Sequence, residues 1–209
     1  WARIGSGHMS WFRRYLEPDL IPMLADIDGD DQDDLIGYNP DTGFFSGRTG
    51  ANHTGWFRRY LEPNLLPLMG QIDDDNKDDL IGYSPDTGKF WARTGANHTG
   101  WFRRPLYSDL VPMLADIDGD GLNDLVGYET STGRFWARTG PDFLGWFRRP
   151  LISDLIPFLH DIDGDDLNDF VGYETSTGEF WARTGSDYSG WFMQTLLSDL
   201  APPLGEKPW

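Results

Sequence analysis

Carboxylates gather in four short clusters along the chain, at a spacing that lets their oxygens meet on one cation. The first cluster spans residues 26–34 and reads Asp-Ile-Asp-Gly-Asp-Asp-Gln-Asp-Asp. Acids at positions 1, 3, 5 and 9 of a tight loop can converge on one point, and the backbone carbonyl of position 7 would complete an oxygen shell. Clustered carboxylates repel one another unless a positive charge lies between them. The pattern therefore predicts a cation site in each loop.

An all-oxygen shell of flexible geometry suits Ca²⁺ better than Mg²⁺. The chain contains no cysteine, and no histidine lies in the four clusters, so zinc and copper fit poorly. We therefore expect about four Ca²⁺ ions, with a structural role in joining two strands. The expected ligand positions are Asp26, Asp28, Asp30, Gln32 and Asp34 in loop 1, Gln71, Asp73, Asp75, Lys77 and Asp79 in loop 2, Asp116, Asp118, Asp120, Leu122 and Asp124 in loop 3, and Asp161, Asp163, Asp165, Leu167 and Asp169 in loop 4.

Two other interpretations of the loops were compared with a calcium site. An EF-hand needs Glu at position 12, but that position is glycine in all four loops, beginning with Gly37, and it lies in a predicted strand. Plain Asx turns are the second alternative, because Asp and Asn favour turns in any case. Four loops in register favour metal over turns alone. Gln71 replaces the first acid of loop 2, so we expect the second site to be the weakest.

The loops belong to a repeat with a fixed period. The pair Trp-Phe recurs every 45 residues from Trp11 to Trp191, which is typical of a solenoid, a propeller or an array. Each unit predicts four short strands, represented by residues 20–25, 34–38, 90–94 and 101–104, and no stretch keeps a helical period. We treat 1–209 as a single repeat domain with units 1–45, 46–90, 91–135 and 136–180 and a partial unit 181–209.

Four strands in 45 residues match one blade of a β-propeller. The fold class we predict is all-β, a propeller of four-stranded blades. Residues 199–204 repeat the first-strand pattern of residues 19–24, while the chain begins in a third strand. A fifth, composite blade closed by both termini is therefore the favoured architecture. Four blades with a spare half-unit, or a strand exchanged between chains, remain alternatives.

Charge narrows the range of partners. The chain has 34 acidic and 17 basic residues and a net charge of −17, which disfavours nucleic acid and anionic membrane surfaces. No run of about 18 apolar residues is present, so we expect no membrane insertion. Residues 1–5 do not resemble a signal peptide.

Near-identical units also disfavour catalysis, because asymmetric chemistry needs distinct groups in one place. Glu129 and Glu174 are the nearest candidates for catalytic carboxylates, and exposure to solvent explains them more simply. We therefore expect no enzymatic activity. Repeated sites suit multivalent binding, in which several weak contacts gain strength through avidity.

The segment that joins the third and fourth strands combines aromatic and polar side chains, as a sugar ring requires. We predict ligand-binding residues there at Trp91, Arg93 and His98, with equivalents in the later units. The alternative is that the tryptophans pack between blades while the arginines stack or pair with acids. The equivalents are Trp136, Arg138, Trp181 and Arg183.

The phrase Asp-x-Asp-Gly-Asp-x-x-x-Asp-Leu, followed by an apolar strand and glycine, resembles the FG-GAP/VCBS repeat of integrin α-chain and lectin propellers. The resemblance covers the four complete units, and departs from the family at Gln71 and Asp74. It implies calcium at Asp26, Asp28, Asp30, Asp34 and their equivalents, and a secreted or cell-surface location. A multivalent glycan-binding lectin is the favoured function. Protein-binding adhesion and a purely structural or designed repeat are the alternatives.

Overall fold

The computed structural model describes residues 2–4 and 10–195, and every regular element among them is a β-strand. None of the described residues forms a helix that could cross a membrane. The strands are β1 (Ala2–Ile4), β2 (Ser10–Phe12), β3 (Ile21–Ala25), β4 (Asp34–Asn39), β5 (Phe44–Arg48), β6 (Phe57–Tyr60), β7 (Leu66–Gly70), β8 (Asp79–Ser84), β9 (Lys89–Arg93), β10 (Phe102–Pro105), β11 (Val111–Ala115), β12 (Asp124–Glu129), β13 (Arg134–Arg138), β14 (Phe147–Pro150), β15 (Ile156–His160), β16 (Asp169–Glu174), β17 (Glu179–Arg183) and β18 (Phe192–Thr195).

Sixteen of these strands form four antiparallel sheets in which sequence neighbours are also sheet neighbours. Sheet 1 is β3–β6, sheet 2 is β7–β10, sheet 3 is β11–β14 and sheet 4 is β15–β18. The predicted all-β fold of four-stranded blades is confirmed, with strand ends within about one residue of those expected. The repeat determines this result because each 45-residue unit carries the same turns between the same apolar runs.

Of the predicted composite blade, the structure describes only the two strands from the N-terminal end of the chain. Strands β1 and β2 pair antiparallel, with Ala2 opposite Phe12, as expected for the third and fourth strands of a blade. Residues 199–204, expected to supply its first strand, lie outside the described residues. The fifth blade therefore stays a prediction.

The chain forms two compact units, Trp1–Ser108 and Asp109–Trp209. The first contains β1, β2, sheet 1 and sheet 2, and the second contains sheet 3 and sheet 4. Each has its own apolar core. The expectation of one repeat domain over residues 1–209 stays a prediction.

The second strand of each sheet is buried on both faces, so it consists of nearly continuous apolar residues. In the second unit the core lies between sheets 3 and 4, where Phe135 stacks on Phe170 with ring centroids 4.5 Å apart. In the first unit Phe45 and Tyr38 of sheet 1 share a core with Leu80 of sheet 2. Each sheet buries its apolar faces by packing against a neighbouring sheet, so a single unit of this repeat would leave those faces exposed.

Glycine occupies position 12, three residues after the end of each Asp loop, because a leucine side chain packs closely against the backbone there. A Cβ on Gly82 would lie 2.5 Å from Cδ1 of Leu65, and one on Gly172 would lie 2.4 Å from Cδ1 of Leu155. Distances this short are not tolerated between carbon atoms. Position 12 of the loops therefore serves packing, which is why it carries no carboxylate ligand.

Candidate metal loops and aromatic surface

Three of the four Asp loops bring carboxylates together. In each, the acids at positions 1, 3 and 9 place one oxygen apiece within 4.8 Å of the others. Each loop connects the first and second strands of its sheet, so the strand pairing fixes both loop ends. The structure thus forms three clusters that could hold a cation, against the four predicted. The clusters are Asp26, Asp28 and Asp34; Asp116, Asp118 and Asp124; and Asp161, Asp163 and Asp169.

The first carboxylate of each cluster shapes its own loop. Asp26 Oδ1 accepts a hydrogen bond from the Gly29 amide at 2.7 Å, and its Oδ2 accepts one from the Asp31 amide at 2.8 Å. Asp116 and Asp161 bind Gly119 and Gly164 in the same way, both at 2.7 Å. These are the Asx turns expected from the sequence. They hold the remaining oxygen lone pairs toward the centre of the loop.

The ninth position is buried and anchors the loop to the sheet. Asp34 is 1% exposed, and its Oδ2 accepts a hydrogen bond from the Ile27 amide at 3.2 Å. Its Oδ1 accepts another from the Gly50 amide at 3.1 Å. Burial and the neighbouring Asp28 carboxylate raise the pKa of Asp34 to about 6. Burial likewise raises the pKa of Asp124 to about 7 and that of Asp79 to about 8, with smaller contributions from nearby acids.

A cation fits the unmet needs of these loops. Buried carboxylate oxygens without a hydrogen-bond partner occur at Asp28 Oδ1 in loop 1 and Asp169 Oδ1 in loop 4, and also in loop 2, at Asp73 Oδ1, Asp75 Oδ2 and Asp79 Oδ1. A buried, unpaired carboxylate oxygen is costly, and a cation would satisfy it. At the fifth position, Oδ1 of Asp30, Asp120 and Asp165 accepts a hydrogen bond from the position-7 amide, and these residues lie outside the three clusters. Their role as ligands stays a prediction.

Loop 2 departs from the other three. Gln71 stands in place of the first acid, and Asp73 Oδ2 accepts a hydrogen bond from the Gly95 amide at 2.6 Å. Lys77, at the seventh position, donates from Nζ to the Ala96 carbonyl at 3.1 Å. Among the described residues, this loop forms no three-acid cluster. The neutral side chain of Gln71, where the other loops have an acid, is the physical reason.

Exposed tryptophans mark the start of the fourth strand in each sheet. Each lies under the guanidinium of an arginine at the end of the third strand, 4.2 to 4.6 Å from the ring centroid. Cation–π contact of this kind orients an indole without burying it. These tryptophans were not among the predicted ligand-binding residues, although the Trp-Phe period was the signal that located them. They are Trp56, Trp101, Trp146 and Trp191, which are 43% to 52% exposed.

Each tryptophan that the sequence singled out contacts the exposed tryptophan of its own sheet. Trp91 meets Trp101 with ring centroids 5.5 Å apart, Trp136 meets Trp146 at 5.8 Å, and Trp181 meets Trp191 at 5.7 Å. Trp136 is only 7% exposed. The inner indoles thus pack against the outer ones of the same sheet.

The predicted arginines combine stacking with backbone contacts. Arg93 Nε donates to the Tyr60 carbonyl at 2.9 Å, and Arg183 Nε donates to the Pro150 carbonyl at 3.0 Å. Arg138 stacks on Trp146 at 4.3 Å. These contacts fix the orientation of the guanidinium groups above the outer indoles.

His98 lies inside the first unit and is 2% exposed. Its Nε2 is 2.9 Å from the Asp78 carbonyl oxygen, and its ring meets Phe57 edge-on at 5.2 Å. Burial lowers the pKa of this imidazole. Its position assigns His98 to packing between sheets 1 and 2 rather than to the exposed surface where we expected it.

A polar cavity of about 180 Å³ lies beside Trp56 in the first unit. Its lining combines the indole with Asp28, Lys77 and Asn97, while His98 and Phe57 lie behind. The cavity is smaller than the roughly 300–1,000 Å³ of pockets for drug-sized ligands. An aromatic wall combined with charged and amide groups suits one ring-shaped, polyhydroxylated ligand.

Comparison with known proteins gives a fold and no family. No family model matches the chain, and no curated protein matches it. Among solved structures, the chain is similar to a lectin of Agrocybe aegerita described for its specific recognition of non-reducing terminal N-acetylglucosamine, with a TM-score of 0.60 and 14% identity. The match covers 85% of this chain and 52% of that one, so the chain spans about half the length of that lectin. The likeness shows an all-β, propeller-like fold. The FG-GAP/VCBS resemblance stays a prediction.

Proposed function

We propose that this chain is a calcium-stabilised glycan-binding module without enzymatic activity. The observation that carries the proposal is the exposed tryptophan at the same position of each sheet, held in place by an arginine and recurring every 45 residues. An exposed indole of fixed orientation offers an apolar face to the C–H side of a sugar ring at little entropic cost. Several such faces on one chain would bind a branched or repeated glycan with avidity.

Calcium is the cation we assign to the Asp loops. The donors are all oxygen, and the three clusters combine carboxylates at positions 1, 3 and 9. A bound Ca²⁺ would supply the positive charge that these acids lack and would join the first two strands of a sheet. Sites of this kind in extracellular modules bind calcium at about 10⁻⁴ to 10⁻³ M. A secreted or cell-surface location and membership of the FG-GAP/VCBS propellers are part of the proposal.

The cavity beside Trp56 is the best-defined glycan site. One ring of the ligand would stack on the indole, while Asn97 and Lys77, which also line the cavity, offer hydrogen-bond donors to hydroxyl or acetamido oxygens. Terminal N-acetylglucosamine is the first ligand to test, because the similar lectin recognises it. Asp28 lines the same cavity and belongs to the loop 1 cluster, so calcium loading would order one wall of the site.

A glycan array tests the proposed function. We expect the calcium-loaded full chain to bind glycans that end in N-acetylglucosamine, and EGTA to weaken that binding. Heat-denatured chain is the negative control. Failure to bind any glycan at every calcium concentration would overturn the lectin proposal and favour a protein-binding role for the same surface.

A further inference from the structure

Hydrogen bonds join the Asp loops of neighbouring sheets within each compact unit. In the first unit, the Asp78 amide of loop 2 donates to the Asp26 carbonyl of loop 1 at 2.7 Å. In return, the Asp26 amide donates to Asp78 Oδ2 at 3.0 Å. Both peptide groups that flank Asp26 are therefore held by a residue of the next sheet.

The second unit makes the same connection with a different side chain. Asn168 of loop 4 donates to the Asp116 carbonyl of loop 3 from its amide nitrogen and from Nδ2, both at 3.2 Å. Asn168 and Asp78 occupy the same repeat position, the eighth of their loops. In both units the backbone amide of the eighth residue thus donates to the carbonyl of the first acid. The side chains differ, because Asp78 accepts from the Asp26 amide while Asn168 donates to the Asp116 carbonyl.

Buried rings hold the two linking residues in turn. His98 Nε2 lies 2.9 Å from the carbonyl oxygen of Asp78. The Tyr188 hydroxyl lies 3.0 Å from the Asn168 carbonyl and 2.8 Å from that of Ile117 in loop 3. His98 and Tyr188 are 2% and 1% exposed. The link therefore rests on packed side chains and not on a mobile surface contact.

The residues that are held, Asp26 and Asp116, are the first acids of their clusters. Their carboxylates also close the loop by accepting the amides of Gly29 and Gly119. A shift in the backbone of either aspartate would therefore move its carboxylate and loosen its turn together. The linking residues themselves belong to no cluster.

We propose that Asp78 and Asn168 are positioning residues for the cation sites of the preceding sheet, so that loops 1 and 3 are each completed by a second sheet. The inference rests on the proposed binding of calcium. Partners that orient a metal ligand commonly change metal affinity by about 10- to 100-fold when they are removed. We expect about a tenfold loss at the affected loop and none elsewhere.

Loop glycines report each site separately in the ¹⁵N-labelled full chain titrated with CaCl₂. The amides of Gly29, Gly119 and Gly164 donate to the first acids of loops 1, 3 and 4. We expect Asp78→Ala to move the midpoint at Gly29 to about tenfold higher calcium and to leave Gly119 and Gly164 unchanged. We expect Asn168→Ala to raise the calcium midpoint at Gly119 alone by a similar factor. This variant tests the proposal if Asp78→Ala does not fold.

Two further variants separate the hydrogen bond from charge. Asp78→Asn keeps an acceptor for the Asp26 amide, and we expect it to restore the Gly29 midpoint to within about twofold of that of the unaltered chain. Asp33→Ala removes a carboxylate from the eighth position of loop 1 itself, where the residue is exposed, and should leave all three midpoints in place.

The outcomes distinguish the two proposals. If calcium moves none of the three amides in the unaltered chain, the calcium proposal fails and the positioning role fails with it. If calcium moves them but Asp78→Ala changes all three midpoints equally, or none, only the positioning role is overturned. Asp78→Asn behaving like Asp78→Ala would also overturn it, because charge would then be the cause.

Discussion

EGTA is expected to lower the melting temperature of the chain by roughly 10 °C or more, and added Ca²⁺ should restore it. A ligand present at about 100 times its dissociation constant stabilises the folded state by about 2.7 kcal/mol per site. For a chain of this size, each kcal/mol changes the melting temperature by about 2–4 °C. Three carboxylate clusters therefore predict a large combined effect. Circular dichroism melts with EGTA, Ca²⁺ and Mg²⁺ measure it, and Mg²⁺ should restore less.

The decrease in melting temperature on EGTA treatment should become larger as pH rises. In the metal-free protein the pKa values of Asp34, Asp124 and Asp79 are about 6, 7 and 8, against 3.8 for an ordinary aspartate. The folded state therefore binds more protons than the unfolded state between these values, and its stability falls as pH rises through them. Calcium would replace the protons. A metal-free protein that is more stable at about pH 8 than at about pH 5, or a melting curve unaffected by EGTA, would contradict this interpretation of the loops.

Trp56→Ala should weaken glycan binding at the cavity of the first unit by about thirtyfold. The indole forms its aromatic wall and is 52% exposed before any ligand binds. Truncation of a tryptophan at the centre of a binding site commonly costs about 2 kcal/mol, and each 1.4 kcal/mol is about a tenfold change in affinity. Titration calorimetry with a monovalent sugar measures this loss without the contribution of avidity.

Tyr107→Ala is the matched control, because its ring is 46% exposed in the same unit and does not line the cavity. It should leave sugar affinity unchanged. Equal losses in the two variants would mean that general damage, rather than a lost stacking surface, explains the result. Unchanged affinity in Trp56→Ala would remove this cavity as the glycan site.

Much of the fold could be predicted from the sequence because the same signals recur in register. Each Asp loop follows an apolar strand and precedes another, so Ala25 and Asp34 had to pair across the loop. That pairing turns the ninth acid inward, toward the first and third. The spacing of the acids was therefore enough to predict that the side chains at positions 1, 3 and 9 converge. Spacing did not show that Asp30 Oδ1 also accepts a hydrogen bond from the Gln32 amide.

The spacing of residues along the sequence does not show in which direction each side chain points. Trp91 lies within β9 and pairs with Arg103 across the ladder, which confines its indole. Trp101 precedes β10 and so stands outside the ladder, half exposed. His98 has a φ of 52°, a left-handed conformation, and its ring enters the core. The same conformation recurs every 45 residues, at His53, Phe143 and Tyr188. The repeat therefore carries it, but the differing side chains at this position did not show that the ring turns inward.

Native mass spectrometry of the purified chain is the most direct test of the central claim, that the Asp loops are calcium sites. At about millimolar free calcium we expect the mass of the chain plus three Ca²⁺ ions, for the clusters headed by Asp26, Asp116 and Asp161. A fourth ion should appear only at higher calcium, because loop 2 carries Gln71 and Lys77. EGTA should remove all of them. A chain that keeps its metal-free mass at every calcium concentration would contradict the account.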